Sequence, residues 1–426
     1  VSSNRVVITG MGPITSIGIG SQDLWNSILS EKSNVKKESF IIDNKEIDSF
    51  QCHKVDNFDI YNFGIDNSAL IDIRSWKGGE DDIDLNYLIG SIKLALDDSE
   101  LEYSSDNDIS LIVGHGNPGL EEFWDKLFNK TYDILKKTKM DKAKYFDILF
   151  DEVVKTSYDL QTYMYLFHLS KLFNLHGSHL FLNNACSSGL YALEVASNLI
   201  KMNKCKVAVV ACSGLSRIYK YLWFRQYGYP YAEDGLIKPF DKNANGIVVG
   251  DGSIALIVED LNYAKKRNAK VYGEYLGGGF NSESWKVTLP AVGTDYYKNT
   301  MIDALKNCNL KSEEIDLINP HGTGLSVIDK YEVKALTNVF NNPCLTAFKP
   351  YFGHCIGASA LLEAGILLMA LKEDVIPGTL NTTSINPKFK ISLVKKNTKC
   401  ALNLVMKTCC AIAGFNASVI FKKIEV

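Results

Sequence analysis

The chain has 426 residues, a net charge of −3, a pI near 6.2 and a hydrophobic content of 46%. That is the composition of a globular protein with a sizeable core, and neither nucleic acid nor an anionic membrane is an expected partner. The longest apolar run, Ala358 to Leu371, is about a third short of a membrane span and contains Glu363.

Val1 to Arg5 shows no signal-peptide h-region, and none of the ten cysteines falls in a C-x-x-C pair. Free thiols in a reducing cytoplasm and no metal site are therefore expected.

In chain order, Arg5 to Gly10 reads as a strand that Gly10-Met11-Gly12-Pro13 breaks. Ser21 is placed to cap a helix over 22–29. Residues 34–66 read as irregular, Ile83 to Asp98 as a strong helix, and Ile109 to Gly114 as a buried strand ending at Gly114-His115-Gly116. Residues 121–174 are long, aromatic and Lys-rich; several helices are expected there, forming a lid, a subunit interface or ordinary core. His179 to Asn183 reads as a buried strand and Leu190 to Met202 as a helix. Further strands are expected at 206–211, 253–258, 271–276, 315–319, 345–348, 407–413 and 418–421. Helices are expected at 261–267, 300–306, 331–340 and 359–371, the last apolar nearly all round and hence buried.

Cys186 falls where the strand at 179–183 turns into the helix at 190–202, among the small residues Ala185, Ser187, Ser188 and Gly189. A thiol there faces free backbone N–H groups and the positive end of the helix dipole, both of which favour the thiolate. A lone buried cysteine is, against that, more often an inert core residue. Two of the seven histidines occupy matching glycine-rich breaks: His321 in Pro320-His321-Gly322-Thr323-Gly324, and His354 after Gly353 at the mouth of the buried helix. Desolvation and the helix dipole disfavour the imidazolium at His354 and leave a neutral Nε2–H donor. A thiol with two such donors points to polarising a carbonyl or enolate oxygen. Lys349 precedes His354 and Glu363 follows it; a buried lysine needs a carboxylate partner, for which Glu332 is a candidate. Asn184 to Glu194 also echoes Gly353 to Glu363, as a duplicated α/β unit would.

With these residues in view, the chain resembles the β-ketoacyl-[acyl-carrier-protein] synthases, the condensing-enzyme branch of the thiolase fold, over essentially its whole length. The stretches that carry the resemblance are RVVITGMGPITSIGIG, NNACSSG, KPFDKNANGIVVGDG, HGTGLSVIDKYE, KPYFGHCIGASALLE and GFNAS, in that order. It implies an α/β, thiolase-like fold with duplicated βαβαβ halves in a layered α-β-α-β-α arrangement. An N-terminal half over 1–262 would hold Cys186 and the insertion at about 121–174; a C-terminal half over 263–426 would hold His321 and His354. It further implies that Cys186 takes an acyl chain from the phosphopantetheine arm of an acyl carrier protein, with no cofactor bound directly. His321 and His354 would stabilise the enolate left when a malonyl thioester loses CO2. Lys349, Asp329, Glu332 and Glu363 would order the site, Ile412 and Ala413 would form the gate and oxyanion loop, and Thr323 and Leu325 would flank the pantetheine arm.

Some positions depart from the family pattern. Leu325 replaces a threonine that would contact pantetheine, Ile412 replaces the gating phenylalanine, and Ala411-Ile412-Ala413-Gly414-Phe415 stands where a more glycine-rich loop is usual. Gly78 to Asp84 is acidic where a carrier-docking helix start is commonly basic, so docking is expected to use other cations such as Lys220, Arg225 or Lys238. The reading that follows is a specialised type II polyketide or polyene ketosynthase, a homodimer or a heterodimer with a chain-length factor. Housekeeping fatty-acid elongation, an acyltransferase without condensation and a non-catalytic subunit stay as alternatives.

Overall fold

β-branched and leucine-rich runs buried on both faces build the centre of the protein. In chain order its strands are β1 (Val6–Thr15), β2 (Ser110–Gly114), β3 (His179–Leu182), β4 (Val207–Gly214), β5 (Gly252–Asp260), β6 (Gly273–Ser282), β7 (Leu317–Asn319), β8 (Cys344–Leu345), β9 (Ser392–Leu393), β10 (Leu404–Cys410) and β11 (Phe415–Lys422). The helices that matter for the site are α1 (Ile83–Ser99), α2 (Ser188–Lys201), α3 (Ile218–Gln226), α4 (Ser326–Thr337) and α5 (Ser359–Glu373). The structure, a computed structural model, describes residues 4–42, 44–76, 82–102, 108–116 and 161–424, with 123–124, 127–128, 131–132, 136 and 144–150 between them. About half of the stretch expected to insert at 121–174 lies outside the described residues; its last part, Thr162–Phe173, is helical.

The strands run β9-β8-β7-β10-β11-β6-β1-β5-β4-β2-β3 across the sheet. Counted within each half, the spatial order is third, second, fourth, fifth, first, both in β1 to β5 and in β6 to β11 with β9 set aside. The directions repeat too: second with third and second with fourth are parallel, and the remaining pairs are antiparallel. The halves join where β1 pairs antiparallel with β6. This is the duplicated, thiolase-like α/β fold.

Alternation along the strands produces the layers. Ile112, Ala208 and Val210 face a central core together with Leu317 and Val405 of the second half. Leu111, Val113 and Val209 face one outer helix layer, and Ile318, Leu404 and Met406 the other. The central core is filled by α2 and α5, the latter buried from Ser359 to Leu371. Gly189 lets these helices touch, since a Cβ there would lie 2.6 Å from Leu361 Cβ and 3.1 Å from Cys212 Sγ.

Several expectations are corrected. β1 does not break at Gly10-Met11-Gly12-Pro13; it runs to Thr15 with a register shift between Ile8 and Gly10. Gly10 and Gly12 are there because α1 presses on the strand, where a Cβ would collide with Ala95 O and Ser91 O. Residues 34–66 include a hairpin, Lys36–Ile42 with Lys45–His53, which polar alternation concealed. The helix at Ser21–Leu29 is not capped by Ser21; its N-cap is Gly20, and Ser21 Oγ donates to Asp98. β3 is half-buried rather than buried, because it ends the sheet.

Candidate active site

Strand β3 feeds α2 through a 3-10 turn, Ala185–Ser187, which holds Cys186. Ala185 has φ 52°, a left-handed conformation that a side chain resists. Ser188 holds it there: its Oγ accepts from Asn184 N at 2.8 Å and donates to Ala185 O at 2.7 Å. The second half repeats the device, with Ile356 at φ 46° and a 3-10 turn Ile356–Ala358 leading into α5. The equivalence is therefore Ala185 with Ile356 and Cys186 with Gly357, two residues away from the match read in the sequence. Cys186 does not correspond to Cys355, nor Glu194 to Glu363; backbone geometry, not side-chain type, carries the repeat. Between β8 and this turn the second half inserts a helical turn, Lys349–Phe352, and that insertion delivers Lys349 and His354.

Cys186 is 2% exposed. Burial pushes its thiol up to about 11, while Lys349 and the N–H groups of Ile412 and of Cys186 itself pull the other way. The thiolate expected from the helix N-terminus is thus overruled by desolvation, and the resting nucleophile is a thiol. The sign of its pH dependence follows: the thiolate fraction grows about tenfold per pH unit up to the raised value. Alkylation of Cys186 by iodoacetamide, followed by mass spectrometry, should still be accelerating at pH 9; a plateau near pH 8 would contradict this.

His354 Nε2 lies 3.2 Å from Cys186 Sγ and its Nδ1 lies 2.7 Å from Ser359 Oγ. The rings of His321 and His354 are 5.5 Å apart and nearly perpendicular. Burial, then Lys349 and further cations, hold both histidines well below the usual imidazole range, so both are neutral. Ser359 serves either tautomer of His354, because a hydroxyl both donates and accepts. With the thiol protonated, Sγ–H donates to Nε2 and Nδ1–H to Ser359. His321 Nδ1 faces Cys409 Sγ at 3.4 Å; burial pushes Cys409 far up and keeps it a thiol, which is able to donate to Nδ1. With that donation the ring proton of His321 sits on Nε2.

Glu363 holds the site together. Its Oε1 accepts from Lys349 Nζ at 2.7 Å and its Oε2 from Lys407 Nζ, and all three side chains are buried. Lys349 also donates to the carbonyl of His321, and Lys407 to that of Pro320 at 2.9 Å. Burial disfavours the charge on Lys349, but Glu363 reverses this and its shift is upward. Burial prevails at Lys407, next to Lys349, and its shift is downward. The partner of Lys349 is accordingly Glu363, not Glu332. Glu332 instead accepts from the backbone N–H of His321 at 2.7 Å and of Gly322 at 2.8 Å. Asp329 touches none of the reacting groups; pushed up to about 8 by burial, it accepts from Phe240 N at 2.8 Å and pins the Pro-Phe-Asp turn. Lys407 and Cys409 were not foreseen. The available signal was a lone lysine inside the apolar strand Leu404–Cys410.

An apolar cavity brings together Cys186, His321, His354, Thr323, Leu325 and Ile412. Ala413 lines it as well, but its N–H is spent on Val287 O at 2.7 Å, so the loop's donor toward the thiol is Ile412, not Ala413. Leu325 is buried, and its N–H is within 3.4 Å of Thr323 Oγ1. Past Ile412 and Phe224 lies a second cavity of about 310 Å³, lined by Trp124, Tyr219, Trp223 and Ile356 together with His115 and Lys220. Among the described residues no group of His, Cys, Asp and Glu is arranged to hold a metal, and no helix is long and apolar enough to cross a membrane.

Residues 3–264 match the beta-ketoacyl synthase N-terminal domain family and residues 272–383 the C-terminal domain family. Among curated relatives, 3-oxoacyl-[acyl-carrier-protein] synthase 2 of Coxiella burnetii is 24% identical with 100% of both chains covered. 3-oxoacyl-[acyl-carrier-protein] synthase 1 of Buchnera aphidicola is 28% identical, with 98% of this chain and 99% of that one covered. Of solved structures, the ishigamide ketosynthase/chain length factor superposes with a TM-score of 0.84 at 22% identity, covering 100% of both chains. A type II polyketide ketosynthase solved with its acyl-carrier protein, AntDE:AntF, gives 0.81 at 18%, again with 100% of both chains covered.

Proposed function

The chain belongs to the beta-ketoacyl synthase family, and from that premise we propose that it performs a decarboxylative Claisen condensation on carrier-bound thioesters. The observation that carries this reading is the convergence of Cys186 with two neutral histidines in one apolar cavity.

In the first step Cys186 Sγ attacks the acyl thioester. Its proton passes to His354 Nε2 across 3.2 Å and on to the departing pantetheine thiol, while the N–H groups of Cys186 and Ile412 meet the oxyanion. In the second, Cys186 is acylated and no longer donates to His354, whose ring proton moves to Nε2 while Ser359 donates to Nδ1, and a malonyl thioester takes the freed place with its carbonyl toward the Nε2–H groups of His321 and His354. The C–CO2 bond breaks, its electrons form an enolate held by the two donors, and CO2 leaves. The enolate carbon then bonds to the acyl carbonyl, the C–S bond to Cys186 breaks, and the departing thiolate takes a proton from solvent, the one proton that loss of the carboxylate as CO2 consumes. Neutral histidines suit this step because an imidazolium would hand its proton to the enolate carbon and quench it. Thr323 would meet the pantetheine arm, with no cofactor bound by the protein itself.

The cavity beyond Ile412 would take the acyl chain, and Leu325 and Ile412 in place of the usual threonine and phenylalanine favour a specialised type II polyketide or polyene pathway over housekeeping fatty-acid elongation. The outer side of β3, which ends the sheet, supports pairing with a second copy or with a chain-length factor across that edge.

Incubation with acyl-loaded carrier protein alone should leave an acyl mass on Cys186 that Cys186→Ala removes, and adding malonyl-loaded carrier protein should then release CO2 and discharge that mass. An adduct without CO2 release would identify a plain acyltransferase; no adduct at all would end the catalytic reading.

A further inference from the structure

The cations expected to receive a carrier protein are already engaged. Arg225 is paired with Asp48 at 2.9 Å, Lys238 with Asp234, and Lys220 Nζ donates to Leu215 O at 2.8 Å. A different set rims the mouth of the Cys186 cavity. The loop 283–294 lends Val287 to Pro290 to the cavity wall and is tied down on both sides. Tyr229 donates to Thr288 O, Ala413 N to Val287 O, and Tyr331 Oη to buried Glu283 at 2.6 Å. Its outer face is nonetheless apolar and open: Trp285 is 64% exposed, Val287 60%, Leu289 46% and Val292 49%. Exposed Lys286 flanks these residues, and α4 sets exposed Lys330 and Lys334 beside them, with Lys334 Nζ on Val292 O at 3.1 Å. None of these three lysines forms an ion pair among the described residues: Lys286 lies over the Trp285 ring at 5.6 Å, and Lys334 is felt by the carboxylate of Asp295, whose direct partner is Lys298.

We propose that the loop 283–294 and the exposed side of α4 form the docking surface for the acidic face of a thioester-bearing carrier protein, with Lys286, Lys330 and Lys334 as its charge contacts. This rests on the condensation reading. Exposed cations outside any ion pair, around a bare apolar patch, fit a partner that brings carboxylates around an apolar contact. The patch borders the opening, so an arm projecting from the docked partner enters the cavity beside Leu289 and Pro290. A second copy of this chain is disfavoured, because the like-charged lysines would face one another in an isologous contact.

The test compares Lys286→Glu/Lys330→Glu/Lys334→Glu with the wild type and with Arg225→Glu/Lys238→Glu, following CO2 release from malonyl-loaded bacterial acyl carrier protein and, separately, from malonyl-CoA. The triple variant should raise KM for the carrier substrate by about tenfold or more, and the wild-type KM should itself rise with salt. Turnover of malonyl-CoA should change less than about threefold, and the Arg225/Lys238 variant should behave as wild type. An unchanged carrier KM in the triple variant, an equal loss with both substrates, or a shift in oligomeric state on gel filtration would overturn the docking assignment while leaving the condensation reading intact. Absence of CO2 release by the wild type would instead overturn the reading beneath it.

Discussion

Glu363→Gln is expected to cost about 3–5 kcal/mol of stability, because it leaves two buried ammonium groups without a counter-ion. Glu363 is the one carboxylate shared by Lys349 and Lys407, with each lysine on its own oxygen. Removing the negative charge turns a buried triad of net +1 into a pair of like charges separated by a neutral amide. The lysines also hold the carbonyls of Pro320 and His321, so their release would displace the His321 ring as well. Differential scanning calorimetry should show a large fall in Tm. The double variant Glu363→Gln/Lys407→Met should recover part of it, since Lys407 is then no longer a charge to satisfy. A Tm unchanged in the single variant would mean that the lysines are neutral in the folded protein, and would remove the triad from the account.

His321→Ala should lower decarboxylation of malonyl-carrier protein about 10²- to 10³-fold, the loss expected for one preorganised donor to a developing oxyanion. Acylation of Cys186 should persist within about tenfold, because that step relies on His354, which lies against the thiol, and on backbone N–H groups. The contrast is the diagnostic. Intact-mass measurement of the acyl-enzyme and a CO2 assay on the same sample separate the half-reactions. If both fall together, His321 acts in acyl transfer and the division of labour between the histidines is wrong.

The motif residues could be read before the fold was known because each sits in a break whose glycines or small residues have no other purpose, as at Ala185 to Gly189 and Gly353-His354. The repeat was legible as a likeness but not in its register, since the φ of Ala185 and Ile356, not their side chains, sets the equivalence. Lys349 was foreseen with the wrong partner. Spacing along the chain does not say that α5 brings Glu363 across the core to it, whereas Glu332 is drawn off by the backbone of the His321 loop. Lys407 could not be distinguished from a solvent-facing strand residue without the sheet that covers it. The protonation state of Cys186 was misread for a related cause: a helix N-terminus is visible in a sequence, but the dry wall around it is not.

The equivalence of the halves extends to their cavities. β2 and β7 are each the second strand of their half, and each leads to a histidine, His115 and His321. Cys186 lines one cavity, and its counterpart Gly357 lines the other beside His115. The two halves thus place a cavity at the same point of the fold. Where the first has the thiol of Cys186 the second has Gly357, and its His115 is bound by Asp84 at 2.8 Å. What remains there is room, adjoining the Cys186 cavity through Ile412. Under the proposed condensation, duplication of the fold provides that room: the half without a nucleophile offers the space into which the chain on Cys186 would grow.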